Sequence, residues 1–283
     1  MLATPIGNRA DISLRGLHVL DLADAVACED TRHTAQLLQG YALHKPLIAA
    51  HEHNEREAAQ AVLARLRVGE RVVYVSDAGT PGVSDPGARL AAEVLAAGLR
   101  CIPVPGASSV TALLSVGGWH GEDGRFRFVG FLPAKGAERE HALQDLADDP
   151  QASVLLESPH RMEALARSLA DRLGARRVTV GRELTKQFEE VASLEAADLP
   201  GWLAQNPSRL RGEFAMLVHG HAATTDADAA LDTHTLRVLD LLLAQLPTKA
   251  AVKLAAQITG AARNALYDAA LARKGQDAAP DQD

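Results

Sequence analysis

Aromatic side chains are scarce, at 4% of the chain, so any core has to be assembled from Leu, Val and Ala. Cysteine is scarcer still. Cys28 and Cys101 are the only 2; they have no metal-ligand spacing and no disulfide framework, which fits a reducing compartment and no bound metal. No apolar run approaches the length of a bilayer span, and the charged-then-apolar signature of an export signal is missing. The expectation is a cytoplasmic, soluble protein without a membrane partner. Net positive charge is lacking as well: the balance is −7, which argues against a general nucleic-acid or DNA binder.

What is present is a globular composition, 47% hydrophobic and 23% charged, over 283 residues. That length accommodates two modest domains and a small appendage. Charge is unevenly spread. From Arg161 to Lys186 there are seven Lys/Arg against three acids, and from Asp232 to Lys274 six against three. Such stretches can hold a polyanion at a defined place, although solvated helix faces are the commoner explanation.

The first two thirds alternate short strands with helices. Asp11 is placed to cap a helix through Leu14, Leu17 and Leu20, and Asn54 one carrying Ala59, Val62, Leu63 and Leu66 on one face. Strands are expected at 25–28, 71–76 and 100–104, each followed by a glycine-bearing loop and a helix. That order implies a parallel sheet with ligand loops at the strands' C-terminal ends. A break falls at 117–124. Beyond it the pattern gives strands at 126–130, 153–157, 177–181, 187–193 and 213–219, with helices near 136–147, 160–173 and 195–204. The predicted class is α/β: a parallel-sheet domain over 1–118, a mixed-sheet domain over 119–222, and a helical appendage over 232–275. An exposed Ala/Thr/Asp connector is expected at 222–230 and a disordered tail at 276–283.

Four segments are too polar and too glycine-rich for ordinary connectors. Thr4-Pro5-Ile6-Gly7-Asn8 follows the first strand and is neither a Walker loop nor a dinucleotide fingerprint; alone it is a βα turn. Residues 76–87 hold three glycines and two prolines, whose exposed N–H groups suit an anion, while Asp77 suits an amine or ribose hydroxyl. Residues 103–113 join a tight turn to a helix start of small side chains, with Ser108 as a plausible cap. Cys28-Glu29-Asp30-Thr31-Arg32-His33-Thr34 crowds two carboxylates, an arginine and a histidine at a strand end. Capping alone explains Asp30 and Thr31; Arg32 and His33 beside them point toward function.

Together these segments resemble the ribosomal RNA small-subunit methyltransferase I family, a branch of the tetrapyrrole-methylase superfamily. Matching strings are Ala3-Thr4-Pro5-Ile6-Gly7-Asn8, Glu29-Asp30-Thr31-Arg32-His33-Thr34, Ser76 through Gly87, Gly130-Phe131-Leu132-Pro133-Ala134-Lys135, Glu157-Ser158-Pro159-His160-Arg161, Arg182-Glu183-Leu184-Thr185-Lys186 and Gly212-Glu213-Phe214. Leu246-Pro247-Thr248-Lys249 and Arg263-Asn264-Ala265-Leu266-Tyr267 extend the likeness to the tail. The resemblance implies a two-domain fold with S-adenosyl-L-methionine between the domains. It further implies a homodimer, and 2′-O-methylation of a cytidine in 16S rRNA near the decoding site, with the RNA or the small ribosomal subunit as partner. By position the cofactor residues would be Pro5, Ser76, Asp77, Ala78, Gly79, Thr80, Thr111, Ala112, Leu156 and Glu213, and the C-terminal helices would face RNA. The family pattern also places several more residues before the Thr-Pro-Ile-Gly loop. Here Met1-Leu2-Ala3 precede it, leaving two expectations: a short first strand, or a start upstream of Met1.

The reaction implied needs alignment and removal of a ribose proton. Candidates are Glu29, Asp30, His33, Glu183 and Lys186, the last only if its pKa is depressed; otherwise Arg32 and Lys186 suit phosphate. Rival readings are a superfamily methyltransferase acting on a small tetrapyrrole or a protein, and a non-catalytic ribosome-assembly factor. A Mg²⁺ phosphohydrolase built on Glu29 and Asp30 lacks further clustered carboxylates in the sequence.

Overall fold

A computed structural model of the chain describes residues 1–51, 54–77, 79–85, 87–119, 124–220, 231 and 233–277. Two compact units result, Met1–Gly220 and His221–Asp283. The larger begins with α1 (Leu14–Leu22), β1 (Ala25–Cys28), α2 (Thr31–Gln39), β2 (Leu47–Ala49), α3 (Glu55–Arg67), β3 (Val72–Val75), α4 (Gly87–Ala96) and α5 (Ser109–Val116). Its strands form a parallel sheet of order β2-β1-β3. Every β1 residue is buried, as a strand covered on both faces requires. Val26, Cys28, Val73 and Val75 pack under Leu20 on one face, and Ala27 and Tyr74 under Val62 and Leu90 on the other. Cys28 aligns with Ala49 and with Val75, so the strands end level and their following loops emerge side by side.

Three expectations need correction here. Ser13, not Asp11, caps α1, accepting from the Gly16 N–H, because Asp11 is taken up in a 3₁₀ turn (Arg9–Asp11) capped by Asn8. Asn54 stands at the N-cap of α3, yet its carboxamide bonds the His51 N–H and the Ala49 carbonyl instead of the helix. Residues 100–104 form no strand; only Val104 pairs, through a bridge to Leu2, which also bridges Val75. Leu2 thus holds a strand position beside β3 that is a single residue long.

β4 (Phe126–Phe131), α6 (Gly136–Asp148), β5 (Ala152–Glu157), α7 (Pro159–Leu173), β6 (Arg177–Arg182), β7 (Glu190–Glu195), α8 (Leu199–Ala204) and β8 (Phe214–Val218) complete this unit. The sheet order is β4-β5-β8-β6-β7, with β4 and β5 parallel and the other pairs antiparallel. The i, i+3, i+4, i+7 face of α7, Met162, Leu165, Ala166 and Leu169, is buried against it; each large side chain contributes about 1.5–3 kcal/mol. Leu113, Val154, Leu184 and Leu217 pack on the sheet's other face. The strand expected at 187–193 begins later, at Glu190, because Lys186 and Glu189 close turns onto Glu183 and Lys186.

The smaller unit comprises α9 (Thr233–Leu243), α10 (Thr248–Thr259) and α11 (Arg263–Asp277), around Leu239, Val252, Ala255, Leu266 and Ala270. α10 stops at Gly260, whose φ of 74° satisfies a left-handed C-cap. The connector expected at 222–230 lies outside the described residues, as do 120–123 of the expected break and 278–283 of the tail. Among the described residues, no helix is long and apolar enough to cross a membrane.

Candidate active site

A cleft of about 470 Å³ opens where the loops after β1 and β3 face the ends of β5 and β8. Its floor follows from the level strand ends. With Cys28 opposite Val75, Glu29 comes to lie beside the Ser76–Asp77 turn. The Asp77 N–H donates to Glu29 Oε1 (3.4 Å), and the Asp30 N–H to Asp77 Oδ1 (3.1 Å). The turn is anchored from the first loop. The Gly79 N–H donates to Thr4 Oγ1 (3.1 Å), the Thr4 hydroxyl to the Ser76 carbonyl (3.3 Å), and the Thr4 N–H to the Gly79 carbonyl (3.0 Å). Thr80 Oγ1 donates to the Ala107 carbonyl (3.0 Å), tying in the third loop. Gly79 takes φ 85°, a backbone that L side chains avoid.

Asp85 organises the rest of the loop. Its carboxylate accepts from the N–H groups of Gly82, Val83 and Gly87, and from the Tyr74 hydroxyl. Glu29, Asp77 and Asp85 therefore share one side of the cleft. Burial first, then the Asp77 charge, push the Glu29 carboxyl above the usual range. Burial and the Asp85 charge push the Tyr74 phenol up as well. Despite this clustering, no group of three or more His, Cys, Asp or Glu among the described residues is arranged to hold a metal ion. The other walls combine apolar side chains, Ile6, Phe131, Leu156, Leu184 and Phe214, with polar ones, Ser108, Ser109, Glu157, Ser158 and Glu213.

The Arg182–Lys186 string forms the rim. Glu183 (φ 50°), Thr185 (φ 68°) and, across the cleft, Ser84 (φ 61°) are three of the four non-glycine residues with positive φ among those described, and such strain concentrates at functional sites. Lys186 Nζ lies 2.9 Å from Glu183 Oε1 and 3.0 Å from Glu213 Oε2. Burial works against the Lys186 charge, but the hydrogen bonds to Glu183 and Glu213 outweigh it and raise its pKa. Lys186 is a fixed cation, so the depressed pKa a base would need is not there. Burial likewise opposes ionisation of Glu183, yet the bonds from the Glu213 N–H and Lys186 hold its carboxyl below the usual range. Close packing enforces the triad: a Cβ on Gly7 would sit 2.3 Å from Lys186 Cγ, and one on Gly212 2.5 Å from Glu183 Cγ.

Of the residues singled out in the sequence, Glu29, Ser76, Asp77, Gly79, Thr80, Leu156 and Glu213 line the cleft. Ala78 lies outside the described residues. Pro5, within the first loop, is buried. The Thr111 hydroxyl turns back to the Ser108 carbonyl of its own helix, and Ala112 packs against the apolar layer. Asp30 caps α2 through the Arg32 and His33 N–H groups, and the exposed Arg32 side chain pairs with it at 3.4 Å. Lys186 and Glu183 flank the cleft through Glu213 and Leu184. Sequence reasoning left Glu157, Ser158 and Pro159 unassigned, although their string was noted; they line the cleft because β5 ends there.

Most of the basic stretch from Arg161 to Lys186 is engaged within the protein, with Arg177 exposed at the start of β6. Arg161 pairs with Glu157, Arg167 with Glu163 and Arg172 with Glu140. Arg176 donates to the carbonyls of Leu146, Ala147, Asp149, Gln151 and His219, and Arg182 to those of Phe188, Ser208 and Arg211.

Comparison with known proteins adds lineage to this geometry. The model of the tetrapyrrole (corrin/porphyrin) methylases matches residues 1–200, and that of the RsmI C-terminal HTH domain matches 226–274. A protein of Pseudomonas aeruginosa named ribosomal RNA small subunit methyltransferase I is 46% identical over 98% of this chain and 97% of its own. A solved cobalt precorrin-4 methyltransferase superposes with a TM-score of 0.58 at 20% identity, over 77% of this chain and 92% of its own. A uroporphyrin-III C-methyltransferase from Thermus thermophilus, complexed with S-adenyl homocysteine, gives 0.52 at 18%, over 76% and 94%. The α/β methylase architecture expected from the sequence is therefore the one observed.

Proposed function

The chain belongs to the ribosomal RNA small subunit methyltransferase I family, and from that premise we propose that it transfers a methyl group from S-adenosyl-L-methionine to a cytidine 2′-hydroxyl of 16S rRNA near the decoding site. One observation carries the reading: a glycine-rich turn, five carboxylates (Glu29, Asp77, Asp85, Glu157 and Glu213) and a set of apolar side chains share a single 470 Å³ cleft. That lining fits the ligand. Its ammonium and sulfonium charges suit Glu29 and Asp77, its carboxylate suits backbone N–H groups of the 76–80 turn, and its adenine suits Ile6, Leu156 and Phe214. When bound, it supplies a methyl group already activated for displacement. Pro5, Ala78, Thr111 and Ala112 remain assigned to cofactor binding in this reading.

The protein's part is alignment, proton removal and charge. Glu29 is the one candidate base that lines the cleft, and its raised pKa brings it nearer neutrality, where a general base works best. Lys186 is paired with Glu183 and Glu213 at the rim, and it takes a phosphate by exchanging the exposed Glu213 carboxylate for it. Asp30 orders α2, which presents Arg32 and His33 to solvent for RNA contact. The reading includes a cytoplasmic homodimer, a division at 1–118, 119–222 and 232–275, and RNA contact by the C-terminal helices.

Mass-spectrometric mapping of 16S rRNA from cells with and without the protein tests it. One 2′-O-methylcytidine should vanish with the gene; an unchanged modification map would remove the proposal.

A further inference from the structure

The chain has 5 phenylalanines, and three of them stand on β4, the edge strand of the larger sheet. Phe126 and Phe128 are each 39% exposed and Phe131 is 53% exposed, whereas Phe214 is buried. A strand normally alternates its faces, which would set Phe131 opposite the other two. A bulge prevents this. Phe128 pairs with Val154, Gly130 with Leu155 and Phe131 with Leu156, so Val129 is the extra residue. Gly130 accommodates the bulge at φ 70°. Partners in a parallel ladder point the same way, and Val154 and Leu156 belong to the apolar layer on the cleft side. All three rings therefore extend that face outward, and Phe131 reaches the cleft itself. Trp119 lengthens the row, meeting Phe126 edge-on at 6.2 Å between centroids.

An aromatic-poor protein has thus placed most of its phenylalanine on an exposed strip that runs into its cleft. Most of the Arg161–Lys186 stretch is engaged in internal pairs and carbonyl contacts, so contacts other than ion pairs have to contribute to holding an RNA strand. Aromatic rings on a sheet face are the common platform for unpaired bases. We propose that Phe126, Phe128 and Phe131 form a stacking shelf for unpaired bases of the substrate RNA, leading the target nucleotide into the cleft. The occupant is argued from continuity: Phe131 and Leu156 line both the shelf and the cleft, and exposed Arg125 and Lys135 flank the strip at its two ends. This inference rests on the RNA reading above and names the site that reads the strand.

The test uses the full-length protein, Phe128→Leu and Phe128→Tyr, since Phe128 stands outside the cleft lining. Fluorescence anisotropy with a labelled single-stranded RNA covering the target region should give affinity about tenfold weaker for F128L and near wild type for F128Y. The dependence of affinity on salt should keep its slope, because no phosphate contact is removed. S-adenosylhomocysteine binding, read by calorimetry, should not change. Wild-type RNA affinity in F128L would overturn the proposal. So would a shift from dimer to monomer in sedimentation with RNA affinity per protomer intact, which would mark the strip as a contact between copies. Ring-dependent RNA binding by a wild-type protein that transfers no methyl group would support the shelf while removing the reaction proposed above.

Discussion

Thr4 is the residue on which the cofactor turn hangs, and replacing it by valine isolates that role. Valine has nearly the same shape, so packing is kept and only the hydroxyl is lost. Thr4 is 1% exposed, and its hydroxyl serves two main-chain groups, accepting from the Gly79 N–H at 3.1 Å and donating to the Ser76 carbonyl at 3.3 Å. Both become unpaired in a place water does not reach. Each orphaned group costs roughly 1–3 kcal/mol, so about 2–6 kcal/mol in all. For a chain of this size that is a fall of roughly 4–20 °C in Tm. The loss is local to the turn, so ligand affinity falls with it, about tenfold for each ~1.4 kcal/mol borne by the bound state. Thr4→Ser is the control: it keeps both bonds and gives up one methyl group, about 0.8 kcal/mol. Differential scanning calorimetry and titration with S-adenosylhomocysteine read both effects. A T4V protein that matches T4S in Tm and affinity would refute the anchoring role.

Three further outcomes follow from the same geometry. Glu29 has a raised pKa and takes up a proton only when ionised, so methyl transfer should climb with pH through that raised value and level off above it. In Glu29→Gln the limb should vanish and the rate fall about 10²–10⁴-fold; a retained limb in a pH-rate profile would exclude Glu29. Gly212→Ala should destabilise more than Gly69→Ala in thermal unfolding. Both glycines have φ near 90°, a strain of roughly 1–2 kcal/mol, but the Gly69 site is open whereas the Gly212 site drives a Cβ into Glu183; equal losses would show that the rim triad is slack. Thr80→Trp should abolish S-adenosylhomocysteine binding in calorimetry, whereas Lys186→Ala and Arg32→Ala should keep it and lose transfer to RNA; the reverse pattern would exchange the assignments of cofactor loop and rim.

Much of this arrangement was legible in the sequence because it is local. The 76–87 loop announces itself through glycine and proline, and α7 through an apolar period that its buried face reproduces. What escaped depends on partners distant in the chain. Residues 100–104 have strand composition, yet only Leu2 stands opposite, so a single bridge forms. Arg176 and Arg182 read as surface charge, but carbonyl groups from other segments enclose them. Asp30, Arg32 and His33 read as one cluster with Glu29. A helix start turns successive residues to different sides, and of the four only Glu29 lines the cleft. The bulge at Val129 had no signal beyond Gly130, and it alone decides which way Phe131 faces.

The reaction proposed for this cleft is methyl delivery to ribose in the small subunit. Purified protein incubated with methyl-tritiated S-adenosyl-L-methionine and unmethylated small ribosomal subunits measures it directly, after digestion of the RNA to nucleosides. Radioactivity should co-elute with 2′-O-methylcytidine and be lost in Glu29→Gln. Label confined to a base, to protein or to no fraction at all would contradict the proposed reaction.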